Sequence, residues 1–118
     1  MSERGSFEVR ETDGVVIFQV GNYLNNISGE KIEEEVEHYL RRGYRHFLIN
    51  FEKTKIINSI GVSFLIGVME RLKQEGATLN FSNLSRIQRE IFEITGLARY
   101  VNIFPTEADA ISAIKGVD

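Results

Sequence analysis

Apolar and polar residues alternate at the start of the chain and then give way to an apolar run, which is typical of a β-hairpin with one edge strand. Phe7 and Val9 are separated by a charged residue, whereas residues 15–20 read Val-Val-Ile-Phe-Gln-Val. Between them, residues 12–14, Thr-Asp-Gly, predict a tight turn. The sequence therefore predicts two antiparallel strands, of which the second is mostly buried.

Two longer segments have apolar residues three or four positions apart, the spacing that places them on one face of a helix. The first is predicted to begin at the cap residue Ser28 and to end at Gly43. The second, at about 59–75, is apolar on nearly every side, so we expect several neighbours to cover it. Because glycine costs a helix about 1 kcal/mol relative to alanine, Gly61 and Gly67 predict close approaches to its backbone.

Two shorter helices are predicted in the last third of the chain. The first follows Ser85, which opens a capping-box pattern, and its apolar stripe is Ile87, Ile91 and Ile94. The second begins at Thr106, again with the form of a capping box. Both helices are thus predicted from a polar cap followed by a short apolar stripe.

Three further strands are predicted at 46–51, 78–81 and about 100–104, each followed by a helix. The element order is then β-β-α-β-α-β-α-β-α, and strands that are joined through helices usually run parallel. We therefore predict an α/β fold with a mostly parallel sheet of four to five strands, an antiparallel hairpin at its edge and four helices. The whole chain, 1–118, is expected to form a single domain with its core at about 7–115.

Charge and cysteine content argue against several classes of protein. The net charge of −3 provides no basic stripe, so nucleic acid is not expected as a partner. The absence of cysteine excludes a disulfide framework, a thiolate zinc site and a cysteine nucleophile. The sequence has neither a signal-type apolar region nor an apolar run long enough to span a bilayer. We therefore expect a cytoplasmic protein without direct membrane insertion.

Acidic residues cover the outer face of the first predicted helix: Glu30, Glu33, Glu34, Glu35 and Glu37. A solvated helix face is the simplest interpretation of such a run. Glu37 and Arg41 are four residues apart, so an ion pair within the helix is expected.

Residues that usually carry catalysis are sparse. His38 lies among glutamates and His46 begins a strand, and neither has further ligands at a metal-binding spacing. The phosphate-loop, dinucleotide-binding and nucleophile-elbow motifs do not occur in the sequence. We therefore expect a protein that is not an enzyme and that uses no metal or cofactor.

Residues 57–61, Ile-Asn-Ser-Ile-Gly, are predicted to join a buried strand to the start of a buried helix. At a helix start the backbone N–H groups lack partners within the helix and the dipole is positive, so a phosphate is stabilised there. Ser59 places a hydroxyl at this corner. The segment is the main candidate for a functional site.

From residue 7 to about 114 the chain resembles a STAS domain of the kind found in bacterial anti-sigma-factor antagonists. That family carries an Asp-Ser-(Ser/Thr)-Gly motif between its third strand and second helix, and residues 58–61, Asn-Ser-Ile-Gly, match it. Residues 94–97, Ile-Thr-Gly-Leu, with 103–106 after them, resemble the family's segment before the last strand and helix. Both matches occur with the family's order of elements.

The resemblance implies a protein–protein switch. Family members bind an anti-sigma factor that is also a serine kinase, which frees the sigma factor, and phosphorylation of the motif ends the binding. The implied partner-binding residues are Asn58, Ser59, Ile60, Gly61 and Val62. A phosphate adds a charge of about −1.5 to −2, which the helix start can hold but which an interface made for a neutral hydroxyl cannot accommodate.

Two positions depart from the family's motif. The usual phosphoacceptor, directly before the glycine, is Ile60 here, and the aspartate is Asn58. Ser59 remains the phosphoacceptor candidate, as in some signalling STAS proteins whose acceptor directly follows the aspartate position. The alternative is that Asn58 or Ser59 only caps the helix.

The leading interpretation is thus a regulatory module that binds an anti-sigma factor of the serine kinase type, or a related regulatory protein. The second interpretation is a STAS subunit of a transporter or of a larger signalling assembly, because the same fold serves there.

Overall fold

Strands and helices alternate in the computed structural model, which describes residues 7–116. The strands are Phe7–Thr12 (β1), Val15–Val20 (β2), Tyr23–Leu24 (β3), His46–Asn50 (β4), Ile56–Ile57 (β5), Thr78–Ser82 (β6) and Asn102–Phe104 (β7). The helices are Asn26–Arg41 (α1), Ser59–Gln74 (α2), Arg86–Ile94 (α3) and Glu107–Lys115 (α4), and a single 3-10 turn spans Leu97–Arg99. The predicted α/β fold is confirmed, and β3 and β5 are two short strands that the sequence did not reveal.

Five strands form one mixed sheet in the order β1-β2-β4-β6-β7. β1 runs antiparallel to β2, and all the other pairings in this sheet are parallel. The hairpin turn consists of Asp13 and Gly14, whose φ angles of 53° and 80° are those of a two-residue type I′ turn. The predicted edge hairpin is therefore confirmed, and β4 lies at the centre of the sheet.

The sheet separates two apolar clusters. The larger joins β2, β4 and β6 to α1, α2 and α3, and it includes Phe18, Phe47, Ile49, Phe81, Val36, Leu65, Leu72 and Phe92. The smaller lies on the opposite face, where Val15, Ile17 and Leu48 pack under Ala110 of α4. Most of the helical mass thus covers one face of the sheet, where α1 and α2 pack against each other.

The first helix begins earlier than the sequence predicts. Its N-cap is Asn25, whose Oδ1 accepts hydrogen bonds from the backbone N–H groups of Ile27 (3.0 Å) and Ser28 (3.2 Å). Ser28 completes the capping box from within the first turn, since its hydroxyl accepts from the Asn25 N–H at 3.0 Å. The predicted cap at Ser28 is wrong by three residues, because an asparagine upstream provides the same hydrogen bonds one turn earlier.

The caps of the last two helices are confirmed. The Ser85 side chain accepts from the backbone of Gln88 at 3.1 Å, and the Gln88 side chain accepts from the Ser85 N–H at 2.9 Å. The Thr106 hydroxyl accepts from the Asp109 N–H at 3.1 Å. Short-range sequence patterns were sufficient to locate both helix starts.

The buried face of α3 differs from the predicted stripe. Ile87 and Ile94 are 68% and 85% exposed, whereas Gln88 and Phe92 are buried. The Gln88 side-chain amide donates to the Thr54 carbonyl at 2.8 Å, so this buried polar group has a hydrogen-bond partner. Two of the three isoleucines of the predicted stripe therefore lie outside the core, because a phenylalanine and a hydrogen-bonded glutamine occupy the inner face of α3.

The acidic face of α1 is tied to α2. Within the described residues, Glu37 forms its ion pair with Arg71 of α2 at 2.6 Å, and not with Arg41 as predicted. Arg71 also contacts Glu75 at 2.6 Å. The hydrogen bond from Arg71 holds the pKa of the Glu37 carboxyl below its usual value, against the opposing effect of burial.

Candidate functional site

Residues 58–61 form the start of α2, and Asn58 is its cap. The Asn58 backbone is extended, and its Oδ1 accepts from the Gly61 N–H at 2.8 Å. The first bond along the helix backbone follows at Val62, whose N–H donates to the Asn58 carbonyl at 3.1 Å. The sequence did not decide whether Asn58 or Ser59 caps the helix. In the structure Asn58 is the cap, and Ser59 is the exposed first residue of the helix.

Gly61 is required by its contact with β3. A Cβ at this position would lie against the Leu24 carbonyl group, 2.7 Å from its carbon. The predicted close approach is thus confirmed at Gly61. It is wrong at Gly67, where a Cβ would have no neighbouring atom within 4 Å.

The two short strands fix the loops that carry the site. β3 and β5 pair in parallel, with Tyr23 opposite Ile56 and Leu24 opposite Ile57. The next residue, Asn58, donates its backbone N–H to the Leu24 carbonyl at 3.1 Å. The segment that enters α2 is therefore held by backbone hydrogen bonds up to the cap itself.

The five partner-binding residues implied by the family resemblance differ in their exposure to solvent. Asn58, Ser59 and Ile60 are exposed, and the Ile60 side chain retains 52% of its accessible surface. Gly61 and Val62 are buried. The first three can contact a partner directly, whereas the last two hold the helix start in place.

Large apolar side chains surround this helix start and were not singled out by the sequence analysis. We call them, together with Ile60, the apolar rim: Tyr23, Ile27, Ile56 and Ile60, which are 44% to 61% exposed. Tyr23 and Ile56 are neighbours across the β3–β5 pair. Ile27 lies in the first turn of α1, which packs so closely on α2 that a Cβ on Gly29 would be 2.8 Å from Phe64. Apolar residues in the otherwise polar segments 21–28 and 52–58 were the signal that could have revealed the rim.

Each of the two histidines contacts a neighbouring side chain of the fold. His46 Nδ1 lies 2.9 Å from the Thr78 hydroxyl on the neighbouring strand, and the His38 ring packs edge-on against Tyr39. Between residues 7 and 116, no group of three or more His, Asp or Glu side chains is arranged to hold a metal ion. None of the helices in the same part of the chain is both long and apolar enough to cross a bilayer.

The arrangement of sheet, helix start and capped motif agrees with a family model for the STAS domain, which matches residues 6–110. The chain belongs to the STAS domain family. Among curated proteins it is similar to BtrV of Bordetella bronchiseptica, named as an anti-sigma factor antagonist, with 28% identity over 79% of this STAS chain and 78% of the relative. It is also 27% identical to the anti-sigma-B factor antagonist of Listeria monocytogenes, over 85% of this chain and 87% of that one.

Solved structures show the same fold at lower identity. The anti-sigma factor antagonist SpoIIAA in its unphosphorylated form superposes with a TM-score of 0.79 at 22% identity, covering 95% of this STAS chain and 100% of that one. A sulfate transporter family protein from Wolinella succinogenes reaches the same TM-score at 15% identity, covering 90% and 88%. The STAS fold is therefore shared by proteins named for regulation and for transport.

Proposed function

We propose that this STAS protein is an anti-sigma factor antagonist, which binds an anti-sigma factor of the serine kinase type and so releases a sigma factor. The supporting observation is the exposed first turn of α2 within the apolar rim. The relatives named above are called anti-sigma factor antagonists, and the match covers most of their length. Such a role is regulatory and not catalytic, and it places the protein in the cytoplasm with its partner.

The chemistry of the surface suits a protein partner. Ile60 is exposed in the first turn of α2, and Tyr23 and Ile56 are exposed neighbours on the β3–β5 pair that leads into this helix start. Exposed apolar side chains that cluster and are rimmed by polar ones are typical of protein interaction sites, and their central members usually contribute most of the binding energy. In this proposal Ile60 is the apolar anchor, and Asn58 and Ser59 supply the polar contacts.

Regulation at this surface would use Ser59. Ile60 has no hydroxyl, and the side chain of Asn58 is engaged in the cap, so Ser59 is the exposed hydroxyl of the motif. We propose it as the phosphoacceptor. A phosphate there lies at the positive end of the α2 dipole, which stabilises the charge, but it introduces that charge directly beside Ile60 of the apolar rim.

The test is calorimetry of the purified protein against the anti-sigma factor of the same cell. Ile60→Asp should weaken binding at least tenfold, which corresponds to about 1.4 kcal/mol, without changing the circular dichroism spectrum. The matched control is Ile94→Asp, which places the same charge on an exposed isoleucine of α3 and should bind as the wild type does. Equal affinity of the wild type and Ile60→Asp would remove this surface from the proposal.

A second candidate is a STAS subunit of a transporter or of a larger signalling assembly. It is favoured by the structural likeness to the sulfate transporter family protein, which concerns the fold alone. Affinity capture from detergent-solubilised cells separates the two, because a transport protein retained by the wild type and lost with Ile60→Asp would support the second candidate.

A further inference from the structure

The outer side of α3 carries an apolar stripe that the fold leaves uncovered. We call Ile87, Ile91 and Ile94 the α3 stripe. Ile87 and Ile94 are 68% and 85% exposed, and Ile91 is partly buried against the main core. Their spacing of four and three residues places them on one side of the helix. Three isoleucines in line on a nine-residue helix form a continuous apolar surface, unlike the isolated apolar residues that are normal on any protein.

Charges beside the stripe are ordered along the helix. Arg86 lies at the first position of α3 and Glu93 near its end, and their side chains are 91% and 59% exposed. Each makes one long ion pair within the helix, Arg86 with Glu90 at 3.8 Å and Glu93 with Arg89 at 3.7 Å. Such exposed pairs contribute little to stability and leave both side chains accessible to a partner. They are seven residues apart, as are Ile87 and Ile94, so they lie on one flank of the stripe, two turns from each other. One flank thus has a basic beginning and an acidic end.

This order makes α3 complementary to a second copy of itself. If two α3 helices pair antiparallel, Ile87 of each copy faces Ile94 of the other, and Arg86 of each faces Glu93 of the other. The two helix dipoles also oppose each other in this arrangement, whereas a parallel pair would place like charges together. An antiparallel pair about a two-fold axis is the isologous contact of most homodimers.

We propose that the α3 stripe is a homodimer interface in which two copies of this protein pair antiparallel along α3. Three isoleucines and their charged flank bury less than the approximately 1,200 Å² of a stable specific interface, so the dimer is weak and forms at high local concentration. The two Glu90 side chains meet near the two-fold axis, and this like-charge contact also keeps the affinity low. The surface belongs to a different helix from the α2 site, so the proposal does not depend on the proposed function.

Sedimentation velocity tests the self-association of the full chain between about 20 μM and about 1 mM, the range expected for an interface of this size. The wild type should shift from monomer to dimer within this range. Ile94→Glu should remain monomeric, and Glu93→Arg should weaken the dimer at least tenfold by placing an arginine opposite Arg86. The double variant Arg86→Glu/Glu93→Arg restores opposite charges and should recover the wild-type midpoint. Ile60→Glu places the same charge on an exposed isoleucine of the α2 site, is the control and should dimerise normally.

Cysteine cross-linking tests the orientation, since the natural chain has no cysteine. Glu90→Cys places the thiols beside the proposed two-fold axis and should give a disulfide-linked dimer under mild oxidation. Ile94→Cys should not cross-link with itself, because the two thiols lie about 10 Å apart along antiparallel helices, beyond the reach of about 7 Å between bridged α-carbons. Ile94→Cys mixed with Ile87→Cys should cross-link.

Several results would overturn the proposal. These are a monomeric wild type at every concentration, a dimer that survives Ile94→Glu, and self-cross-linking of Ile94→Cys with none at Glu90→Cys. If the wild type stays monomeric while Ile94→Glu loses binding to the regulatory partner, the stripe is part of the partner interface and the homodimer is excluded.

Discussion

Gly61 at the start of α2 is in direct contact with the backbone of Leu24 in β3. A Cβ built on Gly61 would stand 2.7 Å from the Leu24 carbonyl carbon, closer than van der Waals contact permits. The same Leu24 carbonyl accepts the N–H of Asn58, which caps the helix. The motif glycine therefore sets the position of the exposed residues Ser59 and Ile60 relative to the β3–β5 pair.

Replacing the motif glycine should disturb this contact. We expect Gly61→Ala to lower the free energy of unfolding by about 1–3 kcal/mol, because the added methyl group must displace the β3 backbone or the start of α2. Partner binding should weaken as well, since Ile60 moves with the helix start. Urea denaturation measures the first effect and calorimetry the second.

The second glycine of the same helix provides the matched control. Gly67→Ala adds its methyl group where no atom lies within 4 Å, so we expect it to stabilise the protein by about 0.5–1 kcal/mol through helix propensity. Equal stability changes at Gly61 and Gly67 would contradict the contact between Gly61 and Leu24.

The packing of α2 on the sheet gives a second prediction. Leu72 is 1% exposed in the main core, which also contains Phe47 and Ile49 of β4 and Val68 of α2. Leu72→Ala should therefore lower the free energy of unfolding by about 2–5 kcal/mol. Ile94→Ala, at an exposed position, should change it by less than about 0.5 kcal/mol. A melting midpoint unchanged by Leu72→Ala would count against the observed packing of α2.

A negative charge at Ser59 should act on binding and not on the fold. The first turn of α2 tolerates the charge because of the helix dipole, so Ser59→Asp should keep a near-native circular dichroism spectrum. On the proposed function it should bind the partner at least tenfold more weakly, by about 1.4 kcal/mol. Asn58→Asp, which restores the aspartate of the family's motif one position earlier, should retain both cap and binding.

Phosphorylation of Ser59 in the cell is tested by a separate measurement. Phosphoproteomics under several growth conditions should detect phosphate on Ser59. Its consistent absence, together with normal signalling by Ser59→Ala, would mean that the proposed partner binding operates without this switch.

The ion pair between α1 and α2 predicts a pH dependence. Arg71 lowers the pKa of Glu37 in the folded protein, so its stabilisation is fully present above the unfolded-state glutamate pKa of about 4.3 and is lost as the pH falls through the lower folded value. Glu37→Gln should therefore lower the urea midpoint at pH 7, and the difference from wild type should vanish in acid. Glu34→Gln on the exposed face of α1 is the control. A difference that persists or grows below this range would exclude the ion pair as its cause.

Local patterns were enough to predict most of the elements. The signals that were read correctly are the alternation in β1, the apolar run of β2 and the caps Ser85 and Thr106. Each signal extends over only a few residues, because the capping hydrogen bonds and the side-chain periodicity that produce it also involve residues close together in sequence. The cap of α1 was misplaced because Asn25 and Ser28 both have capping side chains, and only the loop before the helix decides between them. The motif at 58–61 was found because it combines a helix start with a family pattern.

The sequence by itself determined the order of strands and helices, the edge hairpin and the position of the candidate site, since these depend on interactions between near neighbours in the chain. Only the tertiary structure decided which face of α3 is buried, that Glu37 pairs with Arg71, and that Tyr23 and Ile56 join Ile60 in one apolar rim. These features depend on contacts between residues about 30 or more positions apart, such as Gln88 with Thr54 and Tyr23 with Ile56. Such contacts form only when the sheet brings distant segments together, and no local pattern encodes them.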